Sequence, residues 1–141
     1  KDNVLASTGS TIWLEGSSNY NRIETNQINT TGGQGIRLQD GSNYNNITSN
    51  NINATRQNAM GVGIYYQPSY NTISYNNITG TSSASSIGIY VYYNSQPNYN
   101  TMSANDIQGF DKGISLDAGI GNKIYYNRIN MWNSPIIPLY R

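Results

Sequence analysis

Carboxylates are the side chains of this chain that could carry out acid–base chemistry, and they are few. They are Asp2, Glu15, Glu24, Asp40, Asp106, Asp111 and Asp117. Hydrolysis of a glycosidic bond needs two carboxylates about 5–10 Å apart. Only Glu15 and Asp40 could meet on one side of the molecule, with Arg37 nearby as a base or a cation. These three residues are the catalytic candidates, and the alternative interpretation is that they are isolated surface charges.

Several other kinds of chemistry are excluded by composition. The 141-residue chain has no His and no Cys, which removes the usual transition-metal ligands, the Ser-His-Asp arrangement and any disulfide. We therefore predict no metal and no cofactor. Eight Lys and Arg are scattered along a chain of net charge +1, which argues against a nucleic-acid partner. No apolar run is long enough to span a membrane.

Aromatic residues offer a second function, which is contact with sugars. Flat aromatic rings suit the C–H faces of sugar rings, and Arg and Gln can donate hydrogen bonds to hydroxyl groups. The glycan-binding candidates are Trp13, Arg37, Tyr65, Tyr90 and Tyr92. The alternative is that aromatic residues are simply well suited to strands.

A repeat of apolar and amide residues determines where these side chains must lie. The first apolar position falls at Ile23, Ile47, Ile73, Met102 and Ile124, and the last at Ile28, Ile52, Ile78, Ile107 and Ile129. An Asn between them falls at Asn26, Asn50, Asn76, Asn105 and Asn127. Successive copies are 24, 26, 29 and 22 residues apart. A further apolar pair precedes each copy, at Ile12/Leu14, Ile36/Leu38, Ile64/Tyr66, Ile89/Val91, Ile114/Leu116 and Ile137/Leu139.

Each repeat contains three short segments in which apolar and polar residues alternate, which predicts three strands with one buried face. No segment has a helical stripe. Repeats of this length stack on one another. We predict an all-β, right-handed, single-stranded parallel β-helix of about five to six coils with three strands per coil, forming one domain over residues 1–141.

Asparagine and tyrosine columns follow from the same alignment. Asn50 and its equivalents should occupy the corner between the second and third strands, adopt the left-handed backbone there and bond to the next coil. A second inward column is expected at Asn21, Asn45, Asn71, Asn100 and Asn122. An exposed aromatic stack is expected at Tyr20, Tyr44, Tyr70 and Tyr99, and Gly121 should end it.

The outer face of the first strand carries the candidate site. By alternation, one outward column is Trp13, Arg37, Tyr65, Tyr90 and Ser115. A second outward column is Glu15, Gln39, Gln67, Tyr92 and Asp117.

The motifs SNYNNITSNNI and GIYYQ resemble the parallel β-helix repeats of the carbohydrate-binding and sugar-hydrolase superfamily, which includes pectate-lyase-like and NosD-like proteins. The resemblance runs from about residue 12 to 139. It implies the β-helix fold and a substrate lying along the outer face of the first strand. Its members include lyases, hydrolases, adhesins and surface proteins. NosD is associated with copper-site maturation. Because this chain has no His and no Cys, the resemblance does not imply a copper site here.

Four Asn-x-Thr sequons are candidate N-glycosylation sites, and they fit an extracellular or cell-surface location. They begin at Asn29, Asn46, Asn53 and Asn77. Asn29 and Asn46 are expected to face outward.

The two ends of the chain carry different expectations. At the C-terminal end, Ile137 and Leu139 should face inward with Pro138 outward, which would discourage further stacking. At the N-terminal end, Asn3 and Leu5 match the last segment of a coil. The chain could therefore be the C-terminal part of a longer solenoid, or its open N-terminal end could associate with another copy.

Two functions are compatible with these features. The first is a non-catalytic extracellular solenoid with a structural, adhesive or glycan-contacting role, alone or as a surface-protein or filament subunit. The second is a polysaccharide lyase or glycoside hydrolase, or a fragment of one, acting along the first-strand face. The small number of carboxylates favours the first.

Overall fold

The strands stack in three parallel sheets, each built from one strand per coil. The computed structural model describes residues 1–92 and 97–131, together with the backbone of a strand at 137–138. The described residues contain no helix, and therefore none that could cross a membrane. The all-β solenoid with three strands per coil and about five turns confirms the predicted architecture.

The three sheets are named here by the place of their strands in each coil. The first-strand sheet contains β2 (Ile12–Leu14), β5 (Gln34–Gln39), β8 (Met60–Tyr65), β11 (Ile87–Val91), β14 (Lys112–Leu116) and β17 (Ile137–Pro138). The second-strand sheet contains β3 (Arg22–Glu24), β6 (Asn46–Thr48), β9 (Thr72–Ser74), β12 (Thr101–Ser103) and β15 (Lys123–Tyr125). The third-strand sheet contains β1 (Val4–Ser7), β4 (Gln27–Thr30), β7 (Asn51–Ala54), β10 (Asn77–Gly80), β13 (Asp106–Gln108) and β16 (Arg128–Asn130).

Aliphatic side chains at equivalent positions of successive coils stack along the axis of the solenoid. On the third-strand sheet Ile28 pairs with Ile52, Ile52 with Ile78, and Ile78 with Ile107. These four side chains are fully buried. Because an Ile lies over an Ile in every coil, one continuous apolar core fills the centre of the solenoid.

Two ladders of buried asparagines join the coils at the corners, as predicted. The Oδ1 atom of Asn76 accepts bonds from the backbone N–H and the Nδ2 atom of Asn50, at 2.9 and 3.0 Å. The Nδ2 atom of Asn76 donates to the Ile47 carbonyl and to Asn105 Oδ1. Asn45, Asn71 and Asn100 form the same pattern at the other corner. The amides are therefore satisfied by their own copies.

The prediction that the ladder asparagines adopt the left-handed backbone is wrong, because the residue before each asparagine does so. Positive φ angles occur at Tyr20, Tyr44, Tyr70 and Tyr99 before one ladder, and at Thr25, Ser49, Tyr75, Ala104 and Tyr126 before the other. Left-handed backbone costs an L-residue roughly 1–2 kcal/mol. The preceding residue makes the turn, and the asparagine can then direct both its N–H and its side chain toward the neighbouring coil.

The predicted tyrosine stack forms on the outside of the first corner. Tyr20, Tyr44, Tyr70 and Tyr99 have successive ring centroids 5.1, 5.0 and 5.2 Å apart and interplanar angles of 10° or less. Gly121 supplies no ring and ends the stack as expected, and the Tyr99 ring packs so close to it that a Cβ atom there would lie 2.5 Å from the ring.

The sixth first strand is present, but its register differs from the prediction. Ile137 pairs with Ser115 and Pro138 with Leu116, so the pairing is shifted by one residue. The segment SPIIPLYR contains three aliphatic residues, Ile136, Ile137 and Leu139, so more than one frame satisfies the apolar pattern. Leu139 lies outside the described residues.

Candidate functional site

The candidate site is the outer face of the first-strand sheet, where strand pairing brings aromatic residues of successive coils together. Trp13 pairs with Arg37, Arg37 with Gly63, and Gly63 with Tyr90. Tyr90 pairs in turn with Ser115, the last residue of this column. Four of the five predicted members therefore lie in register in this column, although Ser115 is buried, and the exception is in the third coil.

The third coil was predicted two residues out of register. Val62 and Ile64 are the inward pair, not Ile64 and Tyr66, because Val62 pairs with Ile36 and Ile64 with Leu38. Tyr65 therefore belongs to the second outward column, beside Gln39, in the place predicted for Gln67. Both Tyr66 and Gln67 follow the strand with positive φ angles of 56° and 73°.

Gly63 explains why the register was hard to read and why the site has its shape. It occupies an outward position without presenting a side chain. A Cβ atom at Gly63 would lie 2.5 Å from Cε2 of Tyr65. The missing side chain therefore leaves the space in which the Tyr65 ring folds back between Arg37 and Tyr90.

Arg37 lies between two aromatic rings. Its guanidinium carbon is 4.6 Å from the Trp13 ring centroid and 4.7 Å from that of Tyr65. In the part of the chain that the structure describes, the ion pairs are Arg22–Glu24 and Arg128–Asp106, so Arg37 has no carboxylate partner. Its Nε atom is buried without a hydrogen bond. The cation is therefore held in place by cation–π contacts and keeps its charge available.

Tyrosines continue the surface past Arg37. Tyr65 contacts Tyr92 at 5.5 Å and Tyr90 at 6.1 Å between centroids, and Tyr90 contacts Tyr92 at 5.7 Å. Tyr66 lies 6.3 Å from Tyr92. These contacts are tilted or edge-to-face, so the rings present faces and edges in several directions. We call Trp13, Arg37, Tyr65, Tyr66, Tyr90 and Tyr92 the aromatic face.

Polar groups line the aromatic face. Gln34 Nε2 donates to the Tyr65 hydroxyl at 3.3 Å, and that hydroxyl donates to the Met60 sulfur at 2.9 Å. The Tyr90 hydroxyl donates to Asp117 Oδ2 at 2.6 Å. Burial, the hydrogen bond to Asp117 and its negative charge together raise the pKa of Tyr90 well above the usual value. Burial also raises the pKa of Tyr65, although the charge of Arg37 acts in the opposite direction.

The raised pKa of Tyr90 has a measurable consequence. The folded protein favours the neutral phenol, so this contribution to stability is present below the ordinary pKa of 10.0 and is lost as the pH rises toward the native pKa. In a titration followed by tyrosinate absorbance, Tyr90→Phe should remove amplitude from the most alkaline phase. Asp117→Asn should shift that phase to lower pH. An unchanged most alkaline phase in Tyr90→Phe would contradict the assignment.

No ion pair joins the three catalytic candidates among the residues that the structure describes. Glu15 and Asp40 are exposed. Asp40 Oδ2 accepts a hydrogen bond from Gln39 Nε2 at 2.9 Å, and Arg37 contacts rings and no acid. The structure therefore brings Arg37 into the aromatic face but leaves the two carboxylates outside it.

The four sequons all lie in strands. Asn29, Asn53 and Asn77 lie in the third-strand sheet, and Asn77 is the exposed one. Asn46 lies in β6, half-buried, and its Oδ1 atom is buried without a partner. Asn29 and Asn53 are half-buried and directly paired, so a glycan on one would crowd the other.

Sequence reasoning missed two features of the site. Tyr66 was predicted to face inward, but it is exposed and joins the aromatic face. Gly63 is the second. The double Gly in GVGIYY is a signal that this coil differs, since an outward Gly in a strand often marks close approach of another group.

Comparison with known proteins supports the β-helix repeat and adds a family description. The family model described as "Periplasmic copper-binding protein (NosD)" matches residues 53–134, which is more than half of the chain. Searches of curated proteins and of solved structures each gave no significant match.

The residues present do not fit a copper site. Copper in proteins is held mainly by thiolate, thioether or imidazole ligands, and the chain has no Cys and no His. Met102 is fully buried in the core, and the Met60 sulfur accepts the Tyr65 hydroxyl. The described residues contain no group of three or more acidic residues that could hold a metal ion.

We therefore expect the isolated chain to bind no copper at stoichiometric level. In competition with a chromogenic chelator for Cu(I) or Cu(II), the chelator should keep its metal at every protein concentration. The reason is the missing donor set, and denatured protein serves as the control for nonspecific uptake. Removal of one equivalent of copper from the chelator by folded protein would contradict this prediction.

Proposed function

We propose that this chain, which belongs to the NosD family, is a non-catalytic β-solenoid that works outside the cytoplasm and contacts glycans through its aromatic face. The parallel β-helix supplies a rigid wall on which side chains of successive coils lie side by side. The family description as periplasmic supports a place outside the cytoplasm.

The aromatic face is the observation that carries the proposal. It combines exposed ring surface with hydrogen-bond donors and acceptors in one continuous surface across four coils. Trp13 is 50% exposed and Tyr66 41% exposed, so both offer surface for the apolar sides of sugar rings. Arg37 and Gln39 lie beside them, and buried polar atoms of both, Arg37 Nε and Gln39 Oε1, lack a partner.

The other tyrosine cluster is a poorer platform for sugars. In the stack of Tyr20, Tyr44, Tyr70 and Tyr99 each ring covers the face of its neighbour, so mostly edges are presented to solvent. Contact with the C–H side of a sugar needs ring faces. The aromatic face meets this requirement because its rings are tilted.

The alternative, a lyase or hydrolase, is less well supported. A pair of carboxylates must flank the bond to be cleaved. Glu15 and Asp40 are exposed, and neither pairs with Arg37. No contact with Arg37 therefore orients either acid, and the enzyme has less support than glycan contact through the aromatic face.

The proposal is tested by measuring the affinity of the protein for a panel of soluble polysaccharides by calorimetry. Trp13→Ala and Arg37→Ala should each weaken binding about 5- to 30-fold, which corresponds to a loss of roughly 1–2 kcal/mol. Gly63→Val should also weaken binding by displacing the Tyr65 ring. Tyr75→Ala removes an exposed tyrosine on another part of the surface and is the matched control. Equal affinity in all variants, or no binding to any glycan, would contradict the proposal.

A test for release of oligosaccharides from the same polysaccharides distinguishes a non-catalytic glycan-binding protein from a lyase or hydrolase. The wild-type chain and the Glu15→Ala/Asp40→Ala variant should both leave the polysaccharides intact. Cleavage by the wild-type chain that disappears in the folded double variant would establish the enzyme instead.

A further inference from the structure

We propose that the stack of Tyr20, Tyr44, Tyr70 and Tyr99 is a site of oxidative modification, at which neighbouring rings are joined by dityrosine bonds. Such bonds would link successive coils covalently on the outside of the solenoid. The proposal concerns a different corner from the aromatic face and does not depend on glycan binding.

The geometry holds reactive partners next to each other before any oxidation. The three successive centroid distances are 5.1, 5.0 and 5.2 Å, with interplanar angles of 6°, 5° and 10°. The backbone of each tyrosine is held in the left-handed region before a ladder asparagine, which keeps neighbouring rings adjacent while their side-chain torsions can still turn. Groups held side by side in one chain react at an effective concentration far above that of free molecules.

The rings are also accessible and unconstrained at their hydroxyl ends. Tyr20 is 74% exposed, and Tyr44, Tyr70 and Tyr99 are 48–49% exposed. The described residues provide no hydrogen-bond partner and no charged partner for these four hydroxyls, so each phenolic proton can leave to water. The side chains can rotate outward, at the loss of only about 0.5–1.5 kcal/mol of stacking per pair.

The reaction balances with hydrogen peroxide as oxidant and a haem peroxidase as catalyst. Each of two tyrosines loses one electron and its phenolic proton to give a phenoxyl radical. The radicals combine through a bond between their ortho carbons, and the hydrogen on each of those carbons then returns to the phenol oxygen. Two tyrosines and one hydrogen peroxide therefore give one dityrosine and two waters.

Other exposed tyrosines provide internal controls. Tyr75 has the same left-handed backbone, is 69% exposed and has no ring contact with another described residue. Tyr126 is 88% exposed and contacts Tyr125 edge-to-face at 5.3 Å. If exposure alone decided reactivity, these two residues would react first. If stacking decides it, the four-ring stack should dominate.

The experiment is oxidation of the folded full chain with peroxidase and hydrogen peroxide at several protein concentrations, followed by dityrosine fluorescence and mass spectrometry of cross-linked peptides. We expect monomeric product cross-linked between Tyr20, Tyr44, Tyr70 and Tyr99, with a yield independent of protein concentration. The Tyr44→Phe/Tyr70→Phe variant keeps the stacked rings but separates the remaining phenols, so its intramolecular yield should fall about tenfold or more, given the effective molarity lost. Tyr75→Phe should leave the yield unchanged.

Three results would overturn the proposal. They are cross-links mapped mainly to Tyr75 or Tyr126, a yield that rises with protein concentration, and an unchanged yield in the double variant. Circular dichroism of the double variant before oxidation establishes that a lost yield reflects lost phenols and not lost fold.

Discussion

Replacing Asn76 with Ala is expected to lower the free energy of unfolding by about 2–6 kcal/mol. The reason is that two buried backbone groups lose their hydrogen-bond partners, which costs about 1–3 kcal/mol for each group. The Asn50 N–H donates to Asn76 Oδ1 at 2.9 Å, and the Ile47 carbonyl accepts from Asn76 Nδ2 at 3.0 Å. Asn76 itself is 1% exposed, so water cannot replace these partners. Denaturant unfolding followed by circular dichroism measures the change.

Asn77 provides the matched control for this variant. It is the next residue, it is exposed, and its side chain makes one long bond of 3.4 Å to Asn51. Asn77→Ala should change stability by less than about 0.5 kcal/mol, as is usual for surface substitutions. Equal losses in the two variants would show that the ladder contributes nothing beyond strand pairing.

Replacing Ile78 with Ala should cost about 2–5 kcal/mol, the usual range for emptying a large aliphatic site in a core. Ile78 is fully buried between Ile52 and Ile107 of the neighbouring coils. Removing it leaves a void in the middle of the stack, and neighbours held by strand pairing cannot collapse into that void. The same unfolding experiment measures the loss.

Val4 is the control for the core substitution, since it is an aliphatic residue in the same sheet but 73% exposed. Val4→Ala should be almost neutral. A loss below about 1 kcal/mol for Ile78→Ala would mean that the coils repack, which contradicts a continuous apolar column.

The repeat in the sequence was enough to predict the solenoid, because each coil must bury the same pattern as its neighbours. The spacing of Asn26, Asn50 and Asn76 placed them in one column, and their hydrogen bonds confirm it. The tyrosine stack followed from the same alignment. These features repeat in every coil, so errors in one coil could be corrected by the others.

The features that escaped prediction are those that do not repeat. Gly63 stands where other coils have Arg37 or Tyr90, and two apolar frames were available in GVGIYY. The left-handed backbone falls on bulky tyrosines, where propensity would not place it. The aromatic face depends on how Tyr65 folds over Gly63, which is a packing outcome without a sequence pattern of its own.

Mapping a bound soluble glycan by nuclear magnetic resonance tests the central functional claim most directly. If the aromatic face is the site, addition of glycan should shift the indole N–H signal of Trp13 and the amide signal of Gly63, and leave those of Asn77 and Tyr126 in place. Shifts confined to the third-strand sheet or to the tyrosine stack, with Trp13 and Gly63 unchanged, would contradict it.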